Sequence, residues 1–388
     1  MLSDPRRLAV AFAGLASFIN LYATQPLLPQ FAHDFGASEG AVSMTVSAIT
    51  FAVALMAPFV GVVADVVGRK RIIAGAMALL VAPTVLCAFA HSLSELVLWR
   101  FVQGLLLPPI FAVTVAYIGD EFPGEEVAGV TGVYVAACAV GGFLGRFLSG
   151  LVADRWGWRS AFYMLAVVTA VSALFVVAAL PRERRFVRAE GFAHSVRLML
   201  GHFLNPPIVA TFAVGFAVLF SFVATFTYVN FYLGAPPFEL SSSALGAIFV
   251  IYLVAVVVTP RTAHWIRAIG RRRLVMAAVG IACGGLLLTL IPWLPAIVLG
   301  LGLAATGGFI SQTSATGLLA QRTTAARSSA VGLYVSFYYV GGGLGAQVPA
   351  LFWARAGWPG CVALVILTLC GMALLVLRFW RGERPGGG

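Results

Sequence analysis

Apolar stretches long enough to cross the hydrocarbon core of a bilayer follow one another along this chain, with short polar breaks between them. Twelve can be placed, near residues 8–31, 40–64, 72–92, 95–118, 128–152, 159–180, 206–232, 243–264, 274–292, 295–318, 328–353 and 358–379. A helical span needs about 20 such residues, so twelve use nearly all 388 and leave little for a soluble catalytic domain. The pattern predicts an all-α membrane protein with the balance of a carrier or channel. Residues 8–31 read as a first span and not a signal peptide, because the stretch is long and holds Asn20, Gln25, Pro26 and Pro29. Removing it would also leave an odd span count.

Composition agrees: 61% of residues are hydrophobic and 10% charged, too few charges to cover a soluble surface. The net charge of +11 invites a nucleic-acid reading, which the placement of the charges removes. With the N-terminus taken as cytoplasmic, 20 of the 25 basic residues fall on inner segments or adjoining helix ends and three, Arg155, Arg159 and Arg355, on outer ones. This is a positive-inside bias. It places both termini in the cytoplasm, makes the lipid bilayer the partner and gives no sign of nucleic acid. Lys70, the single lysine beside 24 arginines, points to a GC-rich genome and a bacterial inner membrane. Arg69 precedes it where a Walker loop needs glycine, so an ATP-binding Walker loop is ruled out and no cofactor is expected. The five cysteines lie in apolar stretches without CxxC spacing, read as packing residues, and suggest no metal site.

The chain repeats. At a shift of 200, Gly132, Tyr134 and Val135 fall on Gly332, Tyr334 and Val335, the run Val140-Gly141-Gly142 falls on Val340-Gly341-Gly342, and Gly157-Trp158 falls on Gly357-Trp358. At a shift of 202, Gly68-Arg69-Lys70-Arg71 falls on Gly270-Arg271-Arg272-Arg273. The expected organisation is two pseudo-symmetric six-helix bundles, 1–180 and 206–388, with a solute site near the midplane between the repeats. A cytoplasmic linker, 181–205, joins them. Phe192, Val196, Leu198, Met199 and Leu200 give that linker a partly apolar face, so part of it is expected to be an interfacial helix.

The loop after the second span, Gly61-Val-Val-Ala-Asp65-Val-Val-Gly68-Arg69-Lys70-Arg71, strongly resembles the signature loop of the major facilitator superfamily. Trp99-Arg100-Phe101-Val102-Gln103-Gly104 resembles its RxxQG motif, and the resemblance covers essentially the whole chain. It implies the superfamily fold of twelve helices in two bundles, and alternating access. It also implies a conformational latch at Gly61, Asp65, Gly68, Arg69 and Arg71, in which a helix dipole stabilises Asp65 and Arg69 orients it. The alternative reading is that these arginines only anchor topology. In the second half Arg267 stands at the place of Asp65 and Ala263 at that of Gly61, so one working latch is expected. Gly141-xxx-Gly145-Arg146-xx-Ser149-Gly150 resembles the antiporter motif GxxxGPxxGG with arginine for proline. Close helix packing is the default explanation of its glycines. Tyr22-x-x-Gln25-Pro26-x-x-Pro29 looks like drug-efflux relatives, and Tyr338-Tyr339-Val340-Gly341-Gly342 looks like arabinose-efflux-type permeases.

Charges inside a bilayer are costly and are functional candidates by default. Two fall inside spans, Arg100 and Arg146, and no carboxylate falls near the midplane. Two cations would make a positive cavity suited to a carboxylate or phosphate, unless Arg100 serves only to bind helix carbonyls or Glu95. The solute-binding candidates are Asn20, Gln25, Arg100, Gln103, Tyr134 and Arg146 in the first half, and Tyr228, Asn230, Gln312, Tyr334 and Tyr338 in the second. Some of their amides and phenols are expected to bond between helices instead. Asp34 with His33, and Glu95, are the candidates for proton coupling, with surface roles as the alternative.

The sequence therefore predicts a monomeric, gradient-driven carrier of a small molecule. Its first form is a proton-coupled exporter of a drug-like or metabolite substrate, and the alternatives are an importer or facilitator of an organic anion or sugar, and a membrane receptor. No HExxH, Ser/His/Asp set or paired intramembrane acids point to catalytic residues. The charge bias has its own test: a periplasm-dependent reporter fused after residue 388 stays inactive, and activity there would reverse the predicted topology.

Overall fold

The structure, a computed structural model, describes residues 4–181, 201–323 and 327–380, with the side chains of Val62, Asp65, Arg327, Ser328 and Ser329 outside the described set. The linker candidates at 182–200 lie outside it as well. Every regular element among the described residues is helical. In chain order these are α1 (Pro5–Leu21), α2 (Leu28–Asp34), α3 (Glu39–Val67), α4 (Arg69–Ala88), α5 (Leu93–Glu121), α6 (Gly124–Trp156) and α7 (Trp158–Ala179). Then come α8 (Pro206–Gly234), α9 (Ser242–Ile248), α10 (Val254–Ile269), α11 (Arg271–Leu288), α12 (Leu294–Arg322), α13 (Arg327–Gln347) and α14 (Pro349–Phe379).

Among the described residues ten spans are long and apolar enough to cross a membrane, with α1 and α2 forming the first and α9 and α10 the eighth. The other two predicted spans are α11 and α13. The eighteen residues of α11 open on Arg271, Arg272 and Arg273, which dilutes its apolar run. The fold is all-α, as the pattern of apolar stretches predicts. Beyond the interruptions between α1 and α2 and between α9 and α10, one further predicted span is divided. The stretch read as 328–353 is divided at Val348–Pro349, where proline lacks the N–H a continuing helix needs, and α14 bends at Gly357 (φ 58°). Leu174, Val167, Leu367 and Leu374 are each at least 63% exposed on α7 and α14, a surface suited to acyl chains and not to water.

The chain forms two compact units, Met1–Glu190 with Glu239–Phe249, and Gly191–Phe238 with Val250–Gly388. In the first, α6 packs on α1, α7 and α9, while α5 packs on α3 and α4, and α4 on α7. In the second, α8 packs on α12, α13 and α14, and α11 on α12.

The sequence repeat is a structural one. A Cβ on Gly141 would lie 2.6 Å from the Leu15 carbonyl oxygen, and one on Gly145 would strike that of Ile19. In the second unit Gly341 and Gly345 stand in the same way against the carbonyls of Phe216 and Phe220. The Tyr134 ring covers Gly14, and the Tyr334 ring covers Gly215. The Tyr134 hydroxyl donates to the Phe111 carbonyl (2.9 Å), the Tyr334 hydroxyl to the Gln312 side-chain oxygen (3.1 Å). Helix crossings this close gain their energy from backbone dispersion contacts, since lipid tails supply no hydrophobic drive.

Gly145→Val and Gly345→Val should each force the crossing apart at a cost of ~1–3 kcal/mol, read as a lower Tm in detergent. Gly75→Ala, where a Cβ meets nothing within 4 Å, should leave Tm unchanged or slightly raised.

Candidate functional site

The first span breaks where its sequence requires it to. Pro26 and Pro29 bring no N–H and would press on the carbonyls four residues earlier, so α1 ends at Leu21. A turn over Tyr22–Thr24 and a 3₁₀ turn over Gln25–Leu27 precede α2. Gln25 N–H now bonds the Tyr22 carbonyl (3.1 Å), and the Asn20 and Leu21 carbonyls lose their helical donors. Tyr22, Ala23, Thr24 and Gln25 are all buried.

Arg100 replaces those donors. Its Nη1 donates to the Asn20 carbonyl (2.8 Å), its Nη2 to that of Leu21 (2.7 Å) and its Nε to that of Thr45 on α3 (3.2 Å). The residue is 0% exposed. Placing arginine at a span centre costs roughly 2.5–3.5 kcal/mol on insertion scales. Each orphaned carbonyl in hydrocarbon costs several kcal/mol, and the cation faces the negative end of the α1 dipole. Two carbonyls outweigh one guanidinium, so the clamp is favourable as a set.

A polar cluster extends from it. Arg100 Nη1 also donates to Gln103 Oε1 (2.8 Å), Gln103 Nε2 to Thr84 Oγ1 (2.8 Å), and Asn20 Nδ2 to Thr169 Oγ1 (2.8 Å). Spans one, three, four and six are thereby tied around the break.

Arg146 holds the other side. Its Nε donates to Gln25 Oε1 (2.7 Å) and its Nη1 to the Gly142 carbonyl (2.6 Å). The guanidinium carbon lies 4.7 Å from the Tyr22 ring centroid and 4.5 Å from that of Phe249, a cation between two π faces. Its exposure is 2%. Phe249 arrives with α9, which is seated on α6: a Cβ on Gly246 would lie 2.6 Å from the Arg146 carbonyl oxygen, and one on Gly150 would strike the Ser242 carbonyl. Asp154 secures that seat, with Oδ1 accepting from Ser242 N–H (2.9 Å) and Oδ2 from Ser243 N–H (2.8 Å). It thus serves as an external cap at the start of α9.

The structure therefore gathers Asn20, Gln25, Arg100, Gln103 and Arg146 around one feature, and Tyr134 stands apart on the α1–α6 crossing. In the second unit the Tyr228 hydroxyl donates to the Ala346 carbonyl (3.0 Å), and the Asn230 amide donates to the Phe226 carbonyl. Gln312, Tyr334 and Tyr338 form a separate group, with Tyr338 stacked on Tyr334 at 6.1 Å.

Of the latch candidates, Gly61 has open space around it, and Gly68 (φ 101°) turns α3 into α4. Arg71 is exposed. Arg69 pairs with the Asp120 carboxylate and donates to the Ala116 carbonyl. Its second-unit counterpart Arg271 donates to the Ser314 carbonyl (2.7 Å) and to the Gln321 amide oxygen (2.8 Å), so an amide stands where the first unit has an acid. The Asp65 side chain lies outside the described set.

Asp34 accepts from the Trp158 indole (3.1 Å) and lies 3.0 Å from His33 Nδ1, with the His33 side chain 89% exposed. Glu95 accepts from the His91 backbone N–H (2.8 Å) and is exposed.

Sequence reasoning did not single out Tyr22, Thr24, Thr84, Ser149, Asp154, Thr169 or Phe249 as site residues. The hydroxyls of Thr24 and Ser149 are buried without a hydrogen-bond partner among the described residues. Each lies close to a residue that was chosen, Thr24 beside Gln25 and Ser149 one turn after Arg146, so adjacency was the available signal. Phe249 gave none.

Comparison with known proteins agrees with this architecture. The family profile described as "Major Facilitator Superfamily" matches residues 10–346. The inner membrane transport protein YnfM of Escherichia coli (strain K12) is 31% identical over 373 residues, 95% of this chain and 88% of that protein. Among solved structures, the nucleoside transporter NupG superposes with a TM-score of 0.79 at 15% identity, covering 97% of this chain and 100% of that one. The human organic anion transporter MFSD10 gives 0.72 at 19% identity, with 96% and 99% covered. At these identities the likeness is one of fold.

Arg100→Leu should orphan the carbonyls of Asn20 and Leu21 at ~1–3 kcal/mol each, a clear fall in Tm. Arg100→Lys, whose single head cannot span three carbonyls, should fall between. An unchanged Tm in the leucine variant would mean that those carbonyls have other donors.

Proposed function

The chain belongs to the major facilitator superfamily, and on that premise we propose that it is a secondary carrier for a small organic solute bearing a carboxylate or phosphate, working in a bacterial inner membrane. The observation that carries this reading is Arg146: a buried cation beside the unwound part of span one, with a neutral amide and two aromatic faces around it. Unwound backbone at membrane depth is tolerated where it is buried in protein or lines a cavity, and in carriers it is where solutes are held. Gln25 supplies an uncharged group beside the cation, and the unpartnered hydroxyls of Thr24 and Ser149 belong to its chain neighbour and to the α6 residue three positions after Arg146. A positive charge in low-dielectric surroundings draws an anion strongly. The shared fold of an organic anion transporter is in keeping with this.

Export is the direction supported by the run Tyr22-x-x-Gln25-Pro26-x-x-Pro29, which looks like drug-efflux relatives and here forms the break itself. Proton coupling is a second element, favoured by Asp34, whose partly exposed carboxylate joins His33 to the Trp158 indole. The chain works as a monomer in this reading.

The test is flux in proteoliposomes with an imposed pH gradient, using labelled organic anions beside neutral analogues of the same size. Anions should move and their analogues should not. Arg146→Ala should raise KM for the anion at least about tenfold, equivalent to ~1.4 kcal/mol, and Arg146→Lys should recover part of it. Equal affinity in wild type and both variants removes Arg146 from the site, and equal flux of the neutral analogues refutes the anionic class.

A further inference from the structure

The second unit holds a cavity between α8, α11, α12 and α14, with Ser221, Thr225 and Ser311 among its lining residues and Phe222 and Phe226 on its wall. The repeat gives it a meaning. The α1–α6 and α8–α13 crossings align Asn20 with Ser221 at a shift of 201, since Ile19 and Phe220 meet the equivalent glycines. The equal lengths of α5 and α12 align Arg100 with Leu301 and Gln103 with Ala304. The glycine turns before α4 and α11 align Thr84 with Leu286, and the glycine-tryptophan pairs align Thr169 with Leu369. The five residues of the first unit's polar cluster thus become Ser221, Leu286, Leu301, Ala304 and Leu369. Four of these five line the cavity.

The exchange shortens Asn20 to a serine, removes the Gln103 amide, the guanidinium and both threonine hydroxyls, and leaves one hydroxyl, that of Ser221, in a cavity that Thr225 and Ser311 also line. Elsewhere in these spans a hydroxyl commonly bonds the carbonyl four residues earlier, as Thr211 on the same helix does to Pro207 (2.8 Å). The Ser221 hydroxyl is about nine-tenths buried and has no hydrogen-bond partner among the described residues. A hydroxyl in that state is destabilising unless something bonds it. The cavity leaves about 20 Å³ for the centre of a water-sized molecule, above the roughly 10–15 Å³ that one ordered water needs. An acyl chain or a solute the size of a sugar does not fit.

We propose that this cavity is a water-binding site, in which ordered water bonded to Ser221, Thr225 and Ser311 takes the place that side chains fill in the first unit. Water there exchanges and reorients, so α8 and α12 can shift against each other without orphaning a fixed polar group. The first unit has no such freedom, because Arg100 and Gln103 span the same space covalently.

The test uses the full chain in detergent. Ser221→Ala, Thr225→Val and Ser311→Ala, singly and together, should lower Tm, since bound water loses its partners. X-ray radiolytic labelling, which marks side chains beside ordered water, should label Phe222 and Phe226 above Phe212, which is as buried as Phe226. Ala304→Gln, which restores the residue of the first unit, should abolish that labelling. A rise in Tm on removing the hydroxyls, or labelling of Phe222 and Phe226 no greater than that of Phe212, would show the cavity to be dry and overturn the proposal.

Discussion

No water reaches the core of a bilayer to satisfy a peptide group, and this requirement organises the whole molecule. It makes every span a helix. It leads the hydroxyls of Ser17, Thr50, Thr84, Thr114 and Thr169 to bond carbonyls of their own helices. It also decides what happens when the chain departs from helix. Prolines stop α1 in mid-membrane, two carbonyls are released, and a buried arginine from α5 takes them up. The charge that looks most out of place in the sequence is the one the backbone most needs.

The same requirement separates the roles of the two buried arginines. Arg100 spends its donors on three carbonyls and one amide in places that side-chain motion would orphan, so it belongs to the scaffold of the break. Arg146 donates to the Gly142 carbonyl and the Gln25 amide oxygen and lies between two aromatic rings, contacts that include none of the carbonyls released by the break.

The spans, the repeat and the glycine crossings are legible in the sequence because each has a local signature: apolar runs of fixed length, matched shifts and glycines four residues apart. The break in span one goes unread, since 8–31 reads as one continuous span, although Pro26 and Pro29 are its cause. The division at Val348 was not legible either, because a single proline between apolar stretches reads equally as interior or boundary. Asn20, Gln25, Gln103 and both arginines could be picked out because polar residues are rare in spans. Their partners could not. Thr84 and Thr169 look like ordinary hydroxyl residues, and Asp120 reads as a loop acid although it meets Arg69 across 51 positions. Phe249 is one phenylalanine among 29, and only folding selects it.

The seat of Glu239–Phe249 has a consequence for how such a chain can be divided. Genetically the molecule is two tandem copies, and the natural place to cut is the linker. Physically the first unit extends beyond that cut: Asp154 finds its backbone donors, and Arg146 its second aromatic face, in residues encoded by the other copy. Fragments cut there would be unequal: the first would lack a part of its own unit, and the second would carry a segment that packs elsewhere.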